Sequence, residues 1–198
     1  VSSVGYCDDT VILASSIEEL KRMNEWTCKF FIRHNFNISL LKTVTTGRHS
    51  DGSELSAADN ILWPQTQVPI IVKTHEQSIR HLGLHLNMNL TWQAQLGVMN
   101  GMVQNVATAI RSGKLTLLQG AIIARDSLPQ QLEIGLRHAQ IPTTQLRHWD
   151  TAITRAFSLN AGVAHGSLYK GSISAILRTH TIEDHHTIAK AAQIMSTL

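Results

Sequence analysis

The chain has 198 residues, of which 43% are hydrophobic, 16% charged and 5% aromatic, and its formal net charge is +3. That apolar fraction supports a packed core in one or two domains and excludes a wholly disordered chain, and no apolar run reaches the roughly 18–20 residues of a membrane span. Cys7 and Cys28 are too few for a disulfide framework and lack metal-ligand spacing, which points to a reduced, intracellular setting.

In chain order, residues 1–6 and 10–14 are strand-like around a polar turn, Cys7-Asp8-Asp9. Val1 already sits in the first apolar run with no basic leader before it, so the expectation is a piece of a longer polypeptide. Ser16, with Glu19 three residues later, predicts a capping box that opens a helix. Ile17, Leu20, Met23, Thr27, Phe30, Phe31 and His34 recur at helical spacing and are its expected buried face. Asn35 ends that helix, because Asn tolerates the left-handed backbone of a helix C-terminus. Residues 36–39, 43–46, 68–72 and 81–86 read as short strands, and 47–60 as a polar surface excursion.

From Trp92 the pattern becomes helical. Leu96, Met99, Val103, Val106 and Ile110 trace one stripe, and residues 115–128 continue helical until Pro129. Thr143 or Thr144 is expected to cap a helix carrying Leu146, Trp149, Ile153 and Phe157, and a last helix runs from about residue 181 to 195. Trp26, Trp63, Trp92 and Trp149 read as core anchors. The expected fold class is therefore α+β, with a strand-rich part over residues 1–90 and a helical part over 91–198.

Charge is divided unevenly. Residues 1–76 carry seven Lys/Arg against nine Asp/Glu, a balance of −2, whereas residues 77–182 carry nine against three, a balance of +6. An acidic front and a basic rear suit a metal site beside a surface that holds a polyanion, although an ordinary basic helical domain has the same signature. The eleven histidines, including His180, His185 and His186, come with no C-x-x-C and read as surface or capping residues.

Asp8 and Asp9 carry the sharpest local signal. Adjacent carboxylates at a hairpin tip between apolar strands repel one another, and a divalent cation offsets that cost. Taken alone, the pair is equally an Asp-rich turn. It does not stand alone. Tyr6-Cys7-Asp8-Asp9 resembles the Y-x-D-D box, motif C in the palm of reverse transcriptases. The following Ser-capped helix and Asn35-Phe36-Asn37-Ile38-Ser39-Leu40-Leu41-Lys42-Thr43 resemble the helix and G-L-x-x-N-x-x-K-T of motif D in non-LTR (LINE-like) retrotransposons, with Asn35 in place of Gly and Ser39 in place of Asn. Arg80-His81-Leu82-Gly83-Leu84-His85-Leu86 resembles the Y-L-G-V hairpin of motif E, the primer grip, and Leu90-Thr91-Trp92 the L-T-W that opens the helical thumb.

The resemblance implies a partial palm over residues 1–90 (motifs C, D and E), a helical thumb and connection region over 91–198, and an RNA-directed DNA polymerase as the parent protein. It implies Mg²⁺, with Mn²⁺ as a substitute, and as partners an RNA template, a DNA primer, deoxynucleotide triphosphates and the upstream palm and fingers of the same polypeptide, in a nuclear or cytoplasmic ribonucleoprotein. Asp8 would be the main metal ligand and Asp9 a neighbouring acid that shapes the site. Tyr6 would lie near the primer terminus. Lys42 would lie near the incoming phosphates, where a solvated strand-end lysine is the plain alternative. His81, Leu82 and Gly83 would form the primer-grip turn. Arg111, Lys114 and Arg125 would be thumb contacts to the nucleic-acid backbone, or simply a solvated helix face. Motifs A and B are not among these residues, and two carboxylates from one turn are too few to fix both ions of a two-metal site. The 198 residues alone are therefore expected not to polymerise DNA. Two other readings are a non-catalytic nucleic-acid-binding remnant of a retroelement, and a basic helical protein–protein adaptor that leaves the Asp-Asp box a coincidence.

Overall fold

A computed structural model describes residues 2–6, 9–161 and 181–196, with side chains for 10–161 and 181–192. The chain divides into two compact units, Val1–Thr91 and Trp92–Leu198.

The first unit opens with an antiparallel hairpin of β1 (Ser2–Tyr6) and β2 (Asp9–Leu13), in register from Ser2 opposite Leu13 to Tyr6 opposite Asp9. Helix α1 (Ile17–Arg33) starts where Ser16 Oγ accepts from the Glu19 amide at 3.1 Å. The reciprocal half of the expected capping box is shifted by one residue. The Glu19 carboxylate accepts from the amide and hydroxyl of Ser15, at 2.7 and 2.6 Å, and those bonds hold its carboxyl below the usual range. Asn35 ends the helix as expected, at φ 55°, and the Phe36 amide donates back to the Phe31 carbonyl at 2.8 Å.

The buried face of α1 is the expected one at Ile17, Leu20 and Met23 and differs from it at Phe30 and His34. Met23, Asn24 and Cys28 are buried, whereas Trp26 and Phe30 are 57% and 53% exposed and His34 is exposed too. The core of this unit, formed by Cys28, Leu55, Ile61, Trp63 and Ile70, meets the helix at Cys28, with Ile17 and Leu20 packed against it. Each residue turns a helix by about 100°, so Phe30 points well away from that contact. The helix carries apolar residues on a second stripe through Trp26 and Phe30, and the core took the stripe with Cys28.

Residues 36–39 form no strand. The amides of Lys42 and Thr43 donate to the Ser39 carbonyl in a turn, after which β3 (Val44–Thr45) pairs in parallel with β4 (Ile71–Val72). The expected strand over 81–86 is instead a hairpin, β5 (Ile79–His81) with β6 (Leu84–Leu86). Its two-residue turn has positive φ at both positions, 49° at Leu82 and 83° at Gly83, the signature of a type I′ turn. The strands thus form three separate two-stranded sheets rather than one continuous palm sheet. Left-handed backbone is costly for Leu and tolerated by Asn, so Leu82→Asn is expected to stabilise this unit by about 1 kcal/mol in chemical denaturation.

The second unit is helical: α2 (Gln93–Arg111), α3 (Leu117–Ile122), a π-helical turn (Ile123–Ser127), α4 (Leu128–His138), α5 (Thr143–Asn160) and α6 (Ile182–Ser196). Pro129 does not stop the helix as its sequence suggests. It stands in the first turn of α4, directly after the π turn, where the widened ladder makes room for a ring that would otherwise meet the carbonyl four residues back. Neither Thr143 nor Thr144 caps α5. Pro142 holds that position without a side-chain bond. The core runs through Met99, Val103, Leu128, Leu132, Leu136 and Trp149. Inside it, Trp149 Nε1 donates to Asn100 Oδ1 at 3.0 Å, and buried Asp150 accepts from the Ile182 amide at 2.8 Å, tying α5 to the start of α6.

On α6, His186 Nε2 is buried without a hydrogen-bond partner among the described residues, and burial, then Lys190, depress its pKa. A depressed folded-state pKa means that unfolding takes up a proton. Stability is therefore full above the unfolded value of about 6.5 and falls as pH drops below it. Melting temperature is expected to decline between about pH 7 and 5, and His186→Gln should flatten that decline.

Candidate functional site

Sequence-predicted site residues fall in both units. The β1–β2 register pairs Tyr6 with Asp9. Cys7 and Asp8 lie outside the described residues, as do the side chains of Tyr6 and Asp9. The first unit also holds Lys42, exposed in the Ser39–Thr43 turn, and His81, Leu82 and Gly83, at the tip of the β5–β6 hairpin. Directly opposed residues of a hairpin share a face, so Arg80 faces with His85, and His81 with Leu84.

In the second unit, Arg111 ends α2 and Lys114 follows it, both exposed. Arg125 lies on the π turn and is forked onto its neighbour Asp126 through Nε at 2.7 Å and Nη2 at 2.8 Å. That fork raises the guanidinium's pKa and lowers the carboxyl's, and it neutralises much of the charge a phosphate would meet. Arg111 and Lys114 keep theirs open to solvent.

The donor chemistry of the Asp8-Asp9 turn, two hard carboxylates on neighbouring residues, suits Mg²⁺ or Mn²⁺ in kind. Two carboxylates fall short of the octahedral shell that Mg²⁺ demands. Separately, among the described residues, which leave out Asp8 and the Asp9 side chain, no group of three or more His, Cys, Asp and Glu is arranged to hold a metal. His180 lies outside the described residues, and His185 and His186 sit on α6.

Two clusters in the first unit escape sequence reasoning. His75, only 1% exposed, has Nε2 2.7 Å from the Gly47 carbonyl, while Nδ1 lies 3.1 Å from Arg48 Nε and 2.9 Å from Glu54 Oε1. A neutral ring can accept from Arg48, and a protonated one can donate to Glu54. Either way the ring clamps residues 47–54 to the segment after β4. The other cluster is a groove beside the end of α1, lined by Phe31, Asn35, Phe36, Asn37, Trp63 and Gln65.

No protein-family model matches this chain, nor does any curated protein or solved structure. Among the described residues no helix is long and apolar enough to cross a membrane.

Proposed function

We propose that the chain is part of an RNA-directed DNA polymerase of a LINE-like retroelement and contributes the carboxylate turn of a metal-dependent nucleotidyl-transfer site. The observation that supports this reading is the β1–β2 register, an antiparallel hairpin in which Tyr6 pairs with Asp9. The capped helix that follows and the Leu82-Gly83 hairpin further along support it, since they come in the order of the motif D helix and the motif E hairpin, although no strand forms over residues 36–39.

In the reaction, a primer 3′-oxygen bonds to the α-phosphorus of a deoxynucleotide triphosphate, the bond to the β-phosphate breaks, and pyrophosphate leaves. A bound Mg²⁺ or Mn²⁺ would lower the barrier by stabilising charge on the attacking and leaving oxygens. Asp8 would hold that ion, and Asp9 would raise the negative field around it. The Lys42 ammonium offsets the charge that grows on pyrophosphate, or gives it a proton. Gly83, lacking a Cβ, lets a primer backbone approach the β5–β6 turn closely. Two carboxylates do not fix two ions, so the proposed site needs a further acid besides Asp8 and Asp9.

Binding of an RNA–DNA primer-template with a recessed 3′ end tests this. The chain is expected to bind it, to photocrosslink to the primer terminus within the β5–β6 hairpin, and not to extend it. Extension by the chain alone that Asp8→Ala abolishes would contradict the claim of incompleteness. Salt-sensitive RNA binding with no preference for a recessed end would favour the non-catalytic remnant.

A further inference from the structure

We propose that the groove at the C-terminal end of α1 is a separate binding site, which takes an unpaired base of single-stranded nucleic acid. Its volume is about 240 Å³. Phe31, Phe36 and Trp63 give it aromatic walls, and Asn35, Asn37 and Gln65 supply amides. A nucleobase needs that pairing of chemistries, flat apolar surface for its faces and amide donors and acceptors for its edges.

Ring surface continues outside the groove. The His34 ring centroid lies 4.4 Å from that of Phe30, and the Phe36 centroid lies 6.5 Å from Phe30 and 6.3 Å from His34, with tilts of 32–45°. Phe30 and Phe36 are 53% and 58% exposed. One turn before Phe30, the Arg22 guanidinium sits 5.6 Å from the Trp26 ring centre. Arg33 and Lys42, within two residues of the lining residues Ile32 and Leu40, are exposed, whereas Arg48 lies opposite Glu54 and Lys29 one turn after Glu25. Stacking surface beside exposed positive charge calls for a polyanion with flat apolar faces. A duplex hides those faces, and an apolar peptide leaves the cations unused. The site does not depend on how the Asp8-Asp9 turn is read.

The test titrates the full chain into a fluorescein-labelled RNA of eight unpaired nucleotides at low salt, with circular dichroism to establish that each variant is folded. Wild-type protein is expected to bind, more weakly as salt rises. Phe36→Ala should weaken binding roughly tenfold, the loss of one base stack. Asn35→Gly should weaken it as well, because Gly keeps the left-handed backbone at φ 55° and removes only the amide. Leu41→Ala, 89% exposed and outside the groove, should bind as wild type. Undiminished binding by both Phe36→Ala and Asn35→Gly would overturn the proposal. So would equal competition by free AMP, which marks a mononucleotide site, or by blunt duplex. Loss of self-association in Phe36→Ala without RNA binding by the wild type would also overturn it, and would make this face an interface between copies.

Discussion

Trp149→Ala is expected to lower the stability of the second unit by about 3–5 kcal/mol, enough to unfold much of the population of a marginally stable domain. Trp149 is fully buried among Met99, Leu132, Leu136 and the other core residues, so truncation removes a large apolar surface and leaves a cavity. It also strands Asn100, whose Oδ1 accepts from the indole Nε1. The two losses separate experimentally. Trp149→Phe keeps most of the volume and discards the donor, so it should cost about 1–3 kcal/mol. Chemical denaturation followed by far-ultraviolet circular dichroism measures both. A cost below about 1 kcal/mol for the alanine variant would mean that Trp149 is not the centre of this core.

Gly135→Ala is expected to destabilise, against the usual sign of that substitution in a helix. Replacing Gly by Ala in a helix interior gains about 0.5–1 kcal/mol from backbone entropy. At Gly135 the new methyl would collide with the Met99 sulfur and lie 2.9 Å from both Met99 Cε and Gln95 Nε2. Those are side-chain ends, yet Met99 and Gln95 are 1% and 4% exposed and have little space to retreat into. Overpacking of this kind costs about 1–3 kcal/mol, so the clash outweighs the gain. Gly101 is the control. It stands on α2 with nothing within 4 Å of the added carbon, so Gly101→Ala should stabilise by about 0.5–1 kcal/mol. Equal gains at the two sites would show that α2 and α4 do not approach as closely as the structure has them.

The parts of the fold that were legible in the sequence are those set by neighbours in the chain. Ser16 and Asn35 mark the two ends of α1 because caps act within one turn. The helical stripe through Met99, Val103 and Ile110 is found buried, because a single apolar stripe has one way to face a core. Where two stripes compete, local reading fails: Trp26, Phe30 and His34 share α1 with Cys28, and only the distant core of Ile61, Trp63 and Ile70 decides between them. Pro129 shows the same limit, since the π turn that accommodates it leaves no mark in the residues. The Asp8-Asp9 proposal rests on four consecutive letters, Tyr6-Cys7-Asp8-Asp9. The groove could not be found that way, because Asn35 and Phe36 are joined by Trp63 and Gln65 only after folding.

The metal site proposed at the hairpin between Tyr6 and Asp9 is tested by paramagnetic broadening of backbone amide resonances with millimolar Mn²⁺. Broadening should concentrate on residues 2–13, recede as Mg²⁺ is added, and disappear in the double variant Asp8→Asn, Asp9→Asn. Broadening spread over other acidic residues such as Glu25 and Asp51, or unchanged in the double variant, would contradict it.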